Sequence, residues 1–205
     1  VWPFHNGTAS EGFAFNYAIL ADPCAPAPAR AKAVGWLIHI VGDIQQPLHG
    51  GHQMTGTYRV TDHAGTYAFI RRNAGAEPAD LHQYWDKMME LSGVALPAGE
   101  DNWATALGKM WPRSRLPELE RKGDPQGLFA SYMDESATLA RLVAYQGTFL
   151  KGTPDPAAAP VVTPRENAIA LALAERRIAT SGYRIADVLA RAMDTAKSAN
   201  KACPA

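Results

Sequence analysis

The chain has 205 residues, with 20 Lys plus Arg and 20 Asp plus Glu, so its formal net charge is zero. This length suits one domain with a substantial core and is too short for two large ones. A neutral chain lacks the broad positive field by which proteins coat duplex nucleic acid non-specifically. Hydrophobic residues make up 47% of the chain and charged residues 20%, which excludes wholesale disorder. No apolar run approaches the roughly 20 residues of a transmembrane helix.

Apolar residues at three- and four-residue spacing predict a chain of helices separated by Pro and Gly. The predicted helices cover residues 11–21, 29–45, 79–91, 102–111, 124–149 and 163–201. Residues 58–71 instead alternate apolar and polar side chains around a turn at residues 62–65, which predicts a small β-hairpin. We therefore predict a mainly α-helical, single-domain multi-helix bundle over residues 1–205, with one small hairpin.

Two cysteines, Cys24 and Cys203, are too few for a disulfide framework or a cysteine-based zinc site. They could form one bridge between a loop and the C-terminal tail in an oxidising compartment. They could equally be two unrelated thiols, and the sequence leaves both interpretations open.

Five residues have the spacing of metal ligands: His39, Asp43, His49, His82 and Asp86. His39 and Asp43 are four apart on a predicted helix, so their side chains project from one face. Pro47 ends this helix and allows His49 to fold back towards the same place. His82 and Asp86 repeat the four-residue spacing on a second helix. Imidazole and carboxylate groups are suitable zinc ligands, and facing helices can present them to a common site.

A surface ion pair is the ordinary interpretation of a histidine four residues from an aspartate. His39 and Asp43, however, lie in the most apolar helix of the chain, where a buried carboxylate is costly unless it is paired or bound to metal. The second His/Asp pair and His49 strengthen the metal interpretation. Spacing alone leaves both possibilities open.

Residues 36–49 read Trp-Leu-Ile-His-Ile-Val-Gly-Asp-Ile-Gln-Gln-Pro-Leu-His, and residues 80–86 read Asp-Leu-His-Gln-Tyr-Trp-Asp. The first segment resembles the signature of the single-strand-specific zinc nucleases of the S1/P1 type. The second resembles that family's next ligand block, usually Asn-Leu-His-x-x-Trp-Asp. Weaker similarity continues at residues 135–136, 144–145 and 181–186, so the resemblance spans nearly all of the chain.

The resemblance implies a helical fold of the phospholipase C/nuclease type with three clustered zinc ions in a cleft. It implies hydrolysis of single-stranded DNA and RNA to 5′-nucleotides by metal-activated water, together with 3′-nucleotidase activity. The expected partner is therefore a single-stranded nucleic acid or a nucleotide. We also expect a monomeric protein that is secreted or periplasmic.

The same resemblance assigns roles to the five candidate ligands. His39 and Asp43 resemble ligands of the first zinc, and Asp43 would also reach the third as a bridging, catalytic carboxylate. His49, His82 and Asp86 resemble the complete protein ligand set of the second zinc. The substrate-binding residues are not identified by the resemblance.

The chain departs from the family pattern at two places. The family's N-terminal Trp and three further ligands (two His and one Asp) have no clear counterpart here, so we expect an N-terminally incomplete domain with weak or absent activity. At residues 62–66 the family usually has Asp-Arg-Gly-Gly-Asn, whereas this chain has Asp-His-Ala-Gly-Thr.

Two other interpretations remain open. A zinc phospholipase C uses similar His-x-x-x-Asp spacing, but the second residue of its last pair is Glu. Trp85 and Asp86 in this chain therefore favour the nuclease. A degenerate helical domain that binds one zinc ion or none would catalyse nothing. Outside the ligands, Trp36 and Trp85 are expected in the core, and the pair Arg176 and Arg177 in solvent.

Overall fold

The computed structural model describes residues 8–91, 95, 98–99, 102–199 and 203. Within them the chain is mainly helical, as predicted, with one small two-stranded sheet. The helices are α1 (Ala9–Ala21), α2 (Ala27–Asp43), α3 (Leu81–Asp86), α4 (Met88–Leu91), α5 (Trp103–Met110), α6 (Pro125–Leu139) and α7 (Pro164–Ser198). The strands are β1 (Phe69–Ile70) and β2 (Ala79–Asp80), which pair antiparallel. No helix in the described part of the chain is long and apolar enough to cross a membrane.

Side-chain caps fix where the helices begin. Thr8 and Glu11 form a reciprocal capping box at the start of α1, and Thr163 and Glu166 form another at the start of α7. Each satisfies backbone N–H groups that have no partner within the helix. Pro164 occupies the first turn of α7, where its missing N–H costs nothing.

One hydrophobic cluster joins α1, α2, α6 and α7, with α1 packed on α2 and both packed on α7. Its buried members are Phe13, Tyr17, Leu20, Ala33, Leu37, Val41, Ile44, Phe129, Tyr132, Val188 and Ala192. Within α2 the buried residues Ala33, Leu37 and Val41 recur every four positions, so one face of the helix is in the core. The opposite face is free to carry polar side chains.

A second cluster lies under the sheet and packs α3 against the segment 140–149. Leu81, Tyr84, Trp85 and Phe149 are among its buried members. A 3₁₀ turn, Pro47–Gly50, follows α2 and packs closely on α6. A Cβ on Gly50 would lie 2.6 Å from the backbone nitrogen of Ala137, so glycine is required for this close approach.

The predicted hairpin at residues 58–71 is wrong in its position. Residues 62–68 form consecutive turns with backbone bonds from Tyr67 to Asp62 and from Ala68 to Gly65, and His63, Ala64 and Gly65 have positive φ. Phe69 pairs with Asp80 and Thr153 instead. The alternating pattern reflects burial of Tyr58, Ala68 and Ile70 under a loop, which strand periodicity cannot distinguish from a hairpin.

Two predicted helices are shorter than expected. Residues 79–80 form strand β2 before α3, and Lys87 separates α3 from α4. The helix predicted over residues 124–149 ends as α6 at Leu139 and continues as a π-helical turn at Ala140–Ala144. In both cases pairing or packing with distant segments overrides the local helical pattern.

Cys24 and Cys203 form a disulfide with a Cα–Cα distance of 5.2 Å. The sequence left this pairing undecided. Disulfides persist in oxidising compartments such as the periplasm and the extracellular space. The bridge therefore fits an extracytoplasmic protein.

Glu166 is expected to make the stability of the fold pH-dependent. Burial raises the pKa of its carboxyl, but hydrogen bonds from Thr148 and Thr163 outweigh burial and lower the pKa to about 2, from an ordinary 4.5. The stabilisation is complete above pH 4.5 and is lost as the pH falls through 2. Glu166→Gln should cost about 1–2 kcal/mol at pH 7 in urea unfolding, and the difference should shrink towards pH 2. Asp194→Asn, at an exposed site on α7, is the control.

A candidate metal centre

Three of the five predicted ligands converge at one point. His49 lies on the turn after α2, and His82 and Asp86 lie on one face of α3. One ligand atom from each of the three lies within 4.8 Å of the other two. The Nε2 atoms of His49 and His82 are 3.0 Å apart, and carboxylate oxygens of Asp86 lie 3.6 Å from His82 Nε2 and 3.8 Å from His49 Nε2.

Hydrogen bonds on the far side of each imidazole fix its tautomer. His82 Nδ1 donates to the carbonyl oxygen of Ala64 at 2.9 Å, because a carbonyl can only accept. His49 Nδ1 donates to Asp43 Oδ2 at 2.8 Å. In the neutral rings both Nε2 atoms then carry lone pairs, and these face one another. Two lone pairs at 3.0 Å repel unless a proton or a metal cation is shared between them.

The donor set fits a zinc ion. Ligand atoms about 2.0–2.1 Å from a tetrahedral zinc lie roughly 3.3 Å from one another. The separation of 3.0 Å between the two Nε2 atoms is close to that value, and one Asp86 oxygen lies 3.6 Å from His82 Nε2 while the other lies 3.8 Å from His49 Nε2. Histidine ligands held by a carbonyl and by a carboxylate are also the usual outer arrangement of protein zinc sites.

Asp43 lies behind His49, where it orients the imidazole. Burial alone would raise the pKa of the Asp43 carboxyl, but the hydrogen bond from His49 and the charges of His49, His39 and His82 lower it below its ordinary value. Burial likewise would lower the pKa of His49, but Asp43 and Asp86 raise it. The centre thus attracts positive charge.

His39 lies on the same face as Asp43, one helical turn earlier, and is exposed to solvent. It lines an open groove of about 490 Å³ together with Asp43, His49 and His82. Trp36 lies at the edge of this groove with its ring 5.9 Å from that of His39. Trp36 is 41% exposed, so the prediction that it belongs to the core is wrong, whereas Trp85 is buried as predicted.

Side-chain caps position the candidate ligands on α3 and on the Pro47–Gly50 turn. Asp80 caps α3 by accepting from Gln83 N–H at 2.8 Å, and this sets the direction of His82 and Asp86. Gln46 caps the Pro47–Gly50 turn with its side-chain oxygen and donates from Nε2 to Asp86 at 3.0 Å. Gln46 therefore ties the two ligand-bearing segments together, a role that the sequence did not reveal.

A network of charged side chains from α6 and α7 holds Gln45, which follows the end of α2. Glu135 accepts from Arg177 at 3.1 Å and from Arg184 at 2.6 Å, and both arginines also donate to Gln45. Arg184 is 1% exposed and lies inside this network. Arg177 is 5% exposed, so its predicted position in solvent is wrong. Its partners Glu135 on α6 and Gln45 after α2 explain the difference, because helical spacing alone does not show contacts between segments.

The helical fold and this centre of two histidines and one carboxylate define a candidate metal-binding helical protein. In a comparison with protein families, residues 14–194 match the S1/P1 Nuclease family. The chain therefore belongs to the S1/P1 nuclease family, a zinc-dependent family of nucleases. No curated protein matches the chain significantly.

Proposed function

We propose that this protein is a zinc-dependent phosphodiesterase that hydrolyses single-stranded DNA and RNA to 5′-nucleotides and also has 3′-nucleotidase activity. The pair of facing Nε2 atoms of His49 and His82, 3.0 Å apart beside Asp86, carries the proposal. Family membership supports the nuclease chemistry. The proposed centre uses His39, Asp43, His49, His82 and Asp86. The family resemblance implies a cluster of three zinc ions, of which His49, His82 and Asp86 would supply the protein ligands of one.

His49, His82 and Asp86 would hold one zinc ion as its full protein ligand set. When bound, zinc supplies Lewis-acid charge to a phosphoryl oxygen and lowers the pKa of a water molecule. Asp43 holds the proton of His49 on Nδ1 and keeps its Nε2 free as a ligand atom. Ala64 does the same for His82 through its carbonyl oxygen. His39 adds a further imidazole to the groove where the phosphate would lie.

The open groove supports a single-stranded substrate. Trp36 presents an exposed aromatic ring beside His39 and Asp43. Unpaired bases stack on such rings, whereas the bases of a duplex are already stacked on one another. The zero net charge of the chain fits phosphate affinity concentrated at a metal centre rather than spread over a basic surface.

We propose a secreted or periplasmic location and a monomeric state. The Cys24–Cys203 disulfide supports an oxidising compartment.

Assays with the zinc-loaded protein test the proposed substrate. We expect hydrolysis of a single-stranded oligonucleotide to 5′-nucleotides at a rate at least about tenfold above that for the same sequence as a duplex, because only unpaired bases can stack on Trp36. Trp36→Ala should reduce this preference by raising KM for the single strand. Trp103→Ala, a partly buried site at the start of α5, is the matched control.

Phosphatidylcholine is the second substrate of this experiment. Hydrolysis of phosphatidylcholine without cleavage of single-stranded DNA would contradict the nuclease and favour the phospholipase interpretation. No hydrolysis of either substrate by the zinc-loaded protein would favour a degenerate, non-catalytic domain.

A further inference from the structure

A second cleft lies away from the metal centre, between α6, α7 and the segment 118–122. It has a volume of about 210 Å³ and includes Tyr17 of α1 in its wall. None of its lining residues lines the groove that contains His39, His49 and His82. The cleft is therefore a separate feature of the surface that the proposed hydrolysis does not use.

Five charged residues line the cleft: Glu118, Arg121, Lys122, Asp187 and Arg191. Both carboxylates are engaged by arginines that do not line it. Arg176 donates to the two oxygens of Glu118 at 3.2 and 2.6 Å, and Arg113 donates to Asp187 at 2.6 Å. Both carboxylates in the cleft are thus already paired, whereas Lys122 and Arg191 have no carboxylate partner among the described residues and Arg121 shares one.

These cations keep most of their charge and hydrogen-bonding capacity. Arg191 donates from one nitrogen to the neutral carbonyl of Gly123 at 2.7 Å. Arg121 lies 3.4 Å from Glu135, a carboxylate that two buried arginines already share. Lys122 forms no ion pair or hydrogen bond with any residue that the structure describes. The carboxylate of Asp124, two residues after Lys122, caps α6 and does not line the cleft.

Two tyrosines add neutral donors to the same wall. The rings of Tyr17 and Tyr132 are buried in the core, and both residues line the cleft. Neither hydroxyl has a hydrogen-bond partner in the described part of the chain. Tyr132 also lies against the buried guanidinium of Arg184, 3.9 Å from its ring centre, so positive charge continues behind the wall.

We propose that this cleft binds the phosphoryl group of a phosphomonoester or of free phosphate. The residues that line it carry two guanidinium groups, one ammonium group and two hydroxyls, contributed by three helices and a loop. A tetrahedral dianion uses several donors from different directions, whereas a planar carboxylate is satisfied by one arginine. The volume admits a phosphoryl group with a small attached moiety and excludes a folded polymer.

Isothermal titration calorimetry with inorganic phosphate and with glycerol phosphate tests the proposal. We expect one site per chain, and we expect the Lys122→Gln/Arg191→Gln double variant to bind at least about tenfold more weakly, since two charged donors are lost. Lys151→Gln removes an exposed positive charge far along the chain and should bind like the unchanged protein. Binding should also weaken as ionic strength rises.

The metal centre is excluded as the source of the signal by a His49→Ala/His82→Ala variant, which should retain phosphate binding. Loss of binding in that variant, or equal binding by the Lys122→Gln/Arg191→Gln protein, would overturn the proposal, as would no binding at millimolar phosphate. Tighter binding of glycerol phosphate supports an organic phosphomonoester as the ligand, and equal binding supports free phosphate. Thermal unfolding of each variant verifies that the fold is intact.

Discussion

Replacing His82 with alanine should remove zinc from the centre. Its Nε2 lies 3.0 Å from His49 Nε2 and 3.6 Å from Asp86, so the substitution deletes one of three ligands. We expect about one zinc ion per chain in the unchanged 205-residue protein after loading and dialysis. The zinc affinity should fall at least about 100-fold in His82→Ala. Loss of a residue that only hydrogen-bonds a ligand costs about 10- to 100-fold, and loss of a ligand itself should cost at least as much. Elemental analysis and competition with a chelator measure both quantities.

Two further variants separate ligation from general damage. Asp43→Asn keeps the size of the side chain but weakens the hydrogen bond that orients His49, so we expect a smaller loss of zinc affinity, of about 10- to 100-fold. His52→Ala changes an exposed loop histidine outside the centre and should leave zinc binding unaltered. Equal zinc binding by His82→Ala and the unchanged protein would refute the assignment of this site.

Glu135→Gln should strongly destabilise the fold. The change leaves the guanidinium groups of Arg177 and Arg184 buried without a counter-charge, at 5% and 1% exposure. Breaking a buried ion pair from one side costs about 3–5 kcal/mol. Gln can still accept one hydrogen bond, so we expect about 3 kcal/mol in urea unfolding and a melting temperature lower by roughly 10 °C.

The control for this prediction is Asp134→Asn, one residue earlier on α6 and exposed to solvent, which should change stability by less than about 0.5 kcal/mol. The Glu135→Gln/Arg177→Met double variant should recover part of the lost stability, because one unpaired charge is removed together with its partner. A Glu135→Gln protein as stable as the control would show that the network is not a structural support of α2.

The sequence predicted only part of the arrangement of the candidate ligands. His82 and Asp86 could be placed on one face of a helix because the four-residue spacing alone sets that geometry. The position of His49 relative to these two residues could be predicted only approximately, since it depends on how the Pro47–Gly50 turn packs on α6. The carbonyl of Ala64, which holds His82, could not be predicted, because it belongs to turns that the alternating pattern presented as a hairpin.

The sequence also did not predict the long-range polar contacts. Arg177 has the local surroundings of a surface residue on α7, and only Glu135 and Gln45 on other segments explain its burial. Trp36 was wrongly predicted to be buried. Its helical spacing is typical of core residues, but its ring is exposed at the edge of the groove. Helical periodicity identifies a face but does not show what packs against that face.

The sequence by itself determined the helical class, the family resemblance and the five candidate ligands, because these depend on local spacing and residue chemistry. Tertiary structure alone decided the distances at which His49, His82 and Asp86 meet, that Asp43 lies behind His49, and that Cys24 bonds to Cys203. Tertiary structure also decided the cleft lined by Arg121, Lys122 and Arg191, because its charge depends on which of its carboxylates are paired with arginines elsewhere. Each of these features joins residues far apart in the chain, and their distances are set by packing.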